Sequence, residues 1–267
     1  MLHVNNLHLS FHQSHILKNI DFHVKRGEIV GLIGPNGCGK TTFLNALSGF
    51  VKPHSGSILF CDENIIDLVP AERSARGMGR SFQTAGVFKE MTVEENLLVA
   101  LEKAQAYPWY WKFFRAWRDR ADKVVDELLS SVDLLTHKYS LAGVLSGGQL
   151  RLLELLRLRL SGGQLLLIDE PTAGVSPAMK KVLGEQLRAL IHNQTRSPDE
   201  GCVSDEGCGS LDGANERSMI LVEHDLKFLF DLVDRVVVFV EGGVYMEGRP
   251  EDIVNDPKLK EVYFGTR

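Results

Sequence analysis

Gly34-Pro35-Asn36-Gly37-Cys38-Gly39-Lys40-Thr41 sits between an apolar run, Glu28–Ile33, and a segment of helical character closed by glycine, Lys40–Gly49. The octapeptide fits G-x-x-x-x-G-K-[ST], and its context of strand, glycine-rich turn and helix leaves few folds open. Glycines let backbone N–H groups converge on phosphate oxygens, and the helix that follows adds positive potential at its N-terminus. In that setting Lys40 reaches the β- and γ-phosphates of a nucleotide and Thr41 is a ligand for Mg²⁺. Gly34, Pro35, Asn36, Gly37, Cys38, Gly39 and Thr42 complete the expected cofactor-binding loop. Cys38 is read as a small tolerated residue of that loop.

The rest of the chain agrees with such a start. Ile20, Phe22 and Val24 alternate with polar residues, and Ser57–Cys61, Leu165–Ile168, Met219–Val222 and Arg235–Val240 are short apolar runs. Helical spacing over Ala121–Leu135, a Leu/Arg-rich stretch from Leu150, a helix start at Ser176-Pro177 and a helix after His224 lie between them. Strands alternating with helices predict an α/β chain with a mainly parallel sheet. The run Leu165–Ile168 ends in Asp169-Glu170. Asp169 is placed to hold Mg²⁺, and Glu170, one step on, to polarise an attacking water as general base.

Composition narrows the function classes. The 267 residues carry a net charge of −5, which argues against a nucleic-acid partner. No apolar stretch reaches the roughly 20 residues of a bilayer span, and Met1–Phe11 lacks the pattern of a signal peptide. Cys38, Cys61, Cys202 and Cys208 show no CxxC spacing, so a metal site or disulfide scaffold is not expected.

With these motifs in hand, the chain resembles the ATP-binding subunits of ABC transporters. Leu145-Ser146-Gly147-Gly148-Gln149 matches the family signature, Ser81-Phe82-Gln83 its glutamine loop, and His224 in Leu221-Val222-Glu223-His224-Asp225 its switch histidine. The resemblance implies a P-loop NTPase core with a mainly parallel sheet, an antiparallel β subdomain and a helical subdomain. It implies one ABC ATPase domain over 1–267, with the helical lobe at about 84–160. Signature residues Ser146, Gly147, Gly148 and Gln149 then bind the γ-phosphate of ATP held by a second ATPase subunit, identical or paralogous. Gln83 contacts Mg²⁺ and senses the membrane partner, His224 contacts the γ-phosphate, and Phe11 stacks on adenine where the family often has tyrosine. An ordinary core phenylalanine is the alternative for Phe11. Ser176 stands where the family commonly has an aspartate.

Ser161-Gly162-Gly163-Gln164 repeats the signature tetrapeptide. The family spacing from signature serine to strand-end aspartate is about 23 residues, room for a helix and then a strand. Ser146 precedes Asp169 by 23 residues and Ser161 by only 8. The second copy is therefore expected in the intervening turn.

Glu90-Met91-Thr92-Val93-Glu94-Glu95-Asn96-Leu97, the aromatic and basic segment Tyr107–Arg120, and the closing Asp256-Pro257-Lys258 with Tyr263-Phe264-Gly265 resemble importers of branched-chain amino acids and, closely related, urea. The implied partners are transmembrane permease subunits and, indirectly, a substrate-binding protein. The implied location is the cytoplasmic face of the cell membrane. Tyr107–Arg120 is expected near the membrane subunit, the alternative being packing within the lobe. A soluble ABC-type ATPase acting on ribosome or DNA is the other reading. It usually carries two ATPase domains or a long coiled coil, and neither is visible. A GTP switch would need an [NT]KxD motif after the loop, which is absent. Gln194–Arg217, acidic and poor in large apolar residues, reads as a flexible insertion.

Overall fold

The computed structural model describes residues 1–11, 14–81, 86–104, 115–191 and 217–256. Strands β1 (Leu2–Phe11) and β2 (Ser14–Val24) form an antiparallel pair. β3 (Ile29–Ile33) leads into α1 (Lys40–Ser48), and β4 (Ser55–Phe60) and β5 (Glu63–Asn64) complete an antiparallel sheet of order β2-β1-β4-β5. Then come α2 (Pro70–Ala75), β6 (Met78–Arg80), α3 (Val93–Ala104), α4 (Arg115–Ser130) and α5 (Gly147–Leu160). β7 (Leu165–Asp169), α6 (Pro177–Ile191), β8 (Ser218–Val222), α7 (Leu226–Phe230), β9 (Arg235–Val240), β10 (Gly243–Gly248) and α8 (Pro250–Asn255) follow. The second sheet has the order β10-β9-β3-β8-β7-β6 and is parallel except for the β9–β10 pair.

Every residue of β3, β7 and β8 is buried, as expected of parallel strands covered on both faces. The period of two divides their side chains between two cores. Ile29, Ile33, Leu166, Ile168, Met219 and Leu221 face a core shared with α3–α6. Val30, Leu32, Leu165, Leu167, Ile220 and Val222 face the antiparallel sheet and α1. The central sheet is thus clamped between the helical lobe and the β subdomain.

Two expectations about element ends are corrected. The amphipathic helix read as Ala121–Leu135 runs from Arg115 to Ser130. It stops early because Asp133 takes left-handed backbone (φ 56°) while the Leu134 N–H turns back to the Leu129 carbonyl at 2.9 Å. Arg217, assigned to the solvated insertion, is buried, so the insertion ends before it. Its remaining residues, the segment 105–114 and the residues beyond Asp256 lie outside the described residues.

α2, β6, α3, β10 and α8 have no counterpart among the elements expected from periodicity. α2 carries a buried arginine that fastens the end of α1. Arg73, 1% exposed, donates to the carbonyls of Ala46 and Leu47 at 2.7 Å and of Leu68 and Ile66 at 2.9 Å. Burial pulls its pKa down to about 10, against the pull of Asp67. Arg73→Ala removes all four side-chain donations, leaving the Ala46 carbonyl only the longer bond from the Gly49 N–H at 3.3 Å, and we expect a loss of about 3 kcal/mol of stability. The measurement is thermal unfolding, with Tm falling by roughly 6–12 °C. An unchanged Tm contradicts this role.

Candidate active site

The phosphate-binding loop is shaped by close backbone approach. A Cβ at Gly34 would lie 2.3 Å from the Phe239 carbonyl oxygen, so only glycine fits where the loop crosses β9. Gly39 precedes α1 at φ 106°, a conformation that favours glycine. The first-turn N–H groups of α1, at Lys40, Thr41 and Thr42, have no intrahelical acceptor and face the loop. Lys40 is 7% exposed, and its ammonium is held at the loop by the carbonyls of Gly34 (2.6 Å) and Pro35 (3.0 Å). Cys38 is buried, and burial pushes its thiol pKa up. A thiol so disposed is a poor nucleophile, in keeping with a tolerated loop residue.

Asp169 stands at the end of β7 with 1% exposure. Burial raises its carboxyl pKa, while Arg80, the hydroxyl of Thr41 and the ammonium of Lys40 pull it down and Glu170 adds to the rise. Its Oδ2 lies 3.8 Å from Arg80 Nη2, and its N–H donates to Ser81 Oγ at 3.1 Å. Its Oδ1 is buried with no hydrogen-bond partner among the described residues. An orphaned buried carboxylate oxygen beside a threonine hydroxyl has the hard-oxygen chemistry of a Mg²⁺ site.

Glu170 occupies left-handed backbone (φ 47°), strained for a non-glycine residue, and its N–H donates to the Val222 carbonyl at 2.9 Å. This bend lifts its carboxylate off the strand axis to meet His224, with Oε1 2.8 Å from Nε2. Both remain partly open to solvent, their side chains 24% and 45% exposed. Asp225 accepts from the Phe228 N–H at 3.2 Å, caps α7 and pairs with Lys180 of α6 at 2.7 Å.

The structure brings Lys40, Thr41, Asp169, Glu170 and His224 to the carboxyl ends of neighbouring strands, where ligands bind in open α/β sheets. Among the described residues, no side-chain hydrogen bond joins the signature to them. Ser146 caps α5 in a reciprocal pair with Gln149, donating its own N–H to Gln149 Oε1 at 2.9 Å. Ser146 and Gly147 are exposed, and a Cβ at Gly147 would meet nothing within 4 Å, whereas one at Gly148 would lie 3.2 Å from Met179 of α6. Ser161–Gln164 is the turn between α5 and β7, with Gly162 at φ 74°. Phe11 is 47% exposed at the end of β1, which removes the core alternative. Gln83 lies outside the described residues.

Sequence reasoning missed Arg80, which bridges Asp169 and the Ser48 hydroxyl (2.7 Å), and Glu223, a buried residue whose carboxylate accepts the backbone N–H groups of Thr172 and His224. A charged residue adjoining each motif was the only signal.

Comparison with known proteins shows the family of the chain. The ABC transporter family matches residues 17–173, more than half of the chain. A probable branched-chain amino acid transport ATP-binding protein, LivG, of Archaeoglobus fulgidus is 33% identical, covering 100% of this chain and 96% of its own length. The high-affinity branched-chain amino acid transport ATP-binding protein LivG of Escherichia coli (strain K12) is 35% identical, with 99% and 98% covered. Among solved structures, the ADP conformation of MJ1267, an ATP-binding cassette of an ABC transporter, superposes with a TM-score of 0.76 at 28% identity, covering 100% of this chain and 99% of that one. The family's domain binds nucleotide and hydrolyses ATP, and this chain belongs to it: it is an ATP-binding subunit of the ABC transporter family.

Proposed function

We propose that this chain hydrolyses ATP at the carboxyl ends of β3, β7 and β8 to drive uptake of branched-chain amino acids through a membrane permease; urea is the nearest other solute. The observation that carries the substrate class is the end-to-end similarity to proteins named for branched-chain amino acid transport. Loop N–H groups of Gly34–Thr42 and the Lys40 ammonium hold the phosphates. Thr41 and Asp169, with Gln83, would hold Mg²⁺, which would supply positive charge against the phosphate oxygens. Glu170 accepts the proton of the attacking water, and His224 orients that carboxylate and faces the γ-phosphate. Phe11 offers its exposed ring to adenine.

The signature, exposed at Ser146 and Gly147, serves the ATP of a second subunit. Docking of that γ-phosphate on Ser146–Gln149 at the N-terminus of α5 draws two subunits together, and hydrolysis releases them. The closure moves the permease, which places the chain at the cytoplasmic face of the membrane. Among the described residues no helix is long and apolar enough to cross it.

Two substitutions separate the signature from its copy. Ser146→Arg puts a cation and its bulk where the opposing phosphate docks, and ATPase activity falls about 100-fold. Ser161→Arg alters a turn residue whose hydroxyl only returns to the Leu158 carbonyl, and activity stays within about twofold. Steady-state phosphate release measures both, and the reverse order contradicts the assignment. The transport reading is tested by affinity purification in mild detergent with uptake of labelled leucine and urea. Recovery of a polytopic membrane protein and a deficit in leucine uptake on deletion support it. Recovery of ribosomes or DNA without a membrane partner overturns it.

A further inference from the structure

Glu223 follows β8 directly and is 3% exposed. Beyond it the chain leaves the sheet towards His224, while beside it β7 leaves the sheet towards Glu170. Asp169 and Val222 are partners in register, so the two loops start side by side. The Glu223 carboxylate joins them. Oε1 accepts the Thr172 N–H at 2.8 Å, and Oε2 accepts the His224 N–H at 3.0 Å. The Asp225 N–H lies 3.5 Å from the same Oε2. Both oxygens of one buried side chain are therefore spent on backbone groups of the two loops whose side chains meet as Glu170 and His224.

We propose that Glu223 is the positioning residue for hydrolysis: it cross-links the Glu170 loop to the His224 loop and so fixes the 2.8 Å contact between the base and its orienting histidine. The inference rests on the assignment of Glu170 as base. Glu170 keeps a left-handed backbone, which persists only where the surroundings over-determine it. Two bonds do so locally, Glu170 N–H to Val222 and Ala173 N–H to the Glu170 carbonyl at 3.2 Å, and the Glu223–Thr172 bond fixes the loop from the other side. Charge-assisted bonds from backbone N–H groups are among the stronger ones available to a carboxylate. Glutamine at 223 has one acceptor oxygen and presents an NH₂ group to an N–H, so one loop is released. Neither Lys40 nor the phosphate loop depends on this bond, so nucleotide affinity is preserved while the reacting geometry loosens.

The test compares wild type, Glu223→Gln and Glu223→Asp, the latter keeping the charge but withdrawing the carboxylate by one methylene. Purified chains are assayed for kcat, for binding of a fluorescent ATP analogue and for Tm. The expected result is a fall in kcat of about 10- to 100-fold with analogue affinity held within about twofold. In a Glu170→Gln background the same Glu223→Gln change alters the residual rate by less than about twofold, because its effect runs through Glu170. Wild-type kcat in both variants overturns the proposal. So does parallel loss of analogue binding and kcat, an equal fold-loss in the Glu170→Gln background, or failure of both variants to fold, since each marks a merely structural role. Wild-type turnover by Glu170→Gln overturns the base assignment itself, whatever happens at Glu223.

Discussion

Glu170→Gln gives a folded protein that binds ATP and hydrolyses it about 10²–10⁴-fold more slowly than wild type. The substitution keeps shape and removes the proton acceptor. The left-handed backbone and the N–H bond to Val222 do not involve the carboxylate, so the loop keeps its path. Lys40 and the loop N–H groups are untouched, so phosphate binding survives. On the proposed mechanism, blocked hydrolysis leaves one subunit's γ-phosphate docked on the other's Ser146, and ATP is expected to shift the protein towards a closed pair. Single-turnover hydrolysis checks the first outcome and gel filtration with and without ATP the second. Hydrolysis at the wild-type rate removes Glu170 from the chemistry.

Lys40→Ala acts earlier. Its ammonium is the one cation on the phosphate loop itself, held 2.6 Å from the Gly34 carbonyl and 3.0 Å from that of Pro35. Alanine removes the charge that meets the β- and γ-phosphates, and at a desolvated site such a donor is worth about 10²–10³-fold. Because the lysine serves binding and turnover alike, both fall, in contrast to Glu170→Gln, where they separate. Calorimetric titration with MgATP together with phosphate release distinguishes the two patterns. Normal hydrolysis by pure, folded Lys40→Ala contradicts the placement of the nucleotide.

Much of this site was legible because its parts are local. A glycine cluster between an apolar run and a helix, or two carboxylates after Leu165–Ile168, occupy a few consecutive residues and leave a pattern. The two tetrapeptides Ser146–Gln149 and Ser161–Gln164 were separable because a helix and a strand need a minimum length. What escaped was set by contacts distant in sequence. β6 has three residues, too few for a period, and is a strand only through its pairing with Leu165–Leu167. Arg73 draws its role from carbonyls 26 and 27 residues away on α1. Glu223 depends on Thr172, 51 residues earlier. The end of α4 turned on one aspartate, Asp133, adopting a left-handed conformation that short polar side chains tolerate.

The measurement that tests the account most directly is an experimental structure of Glu170→Gln with MgATP. The account predicts the β- and γ-phosphates on the N–H groups of Gly34–Thr42, Lys40 turned from the loop carbonyls to the phosphates, and Mg²⁺ between Thr41 and Asp169. It further predicts residue 170 and His224 on the γ-phosphate side and Ser146 of a second subunit closing over it. Nucleotide bound away from Lys40, or a γ-phosphate facing away from residue 170 and His224, would contradict it.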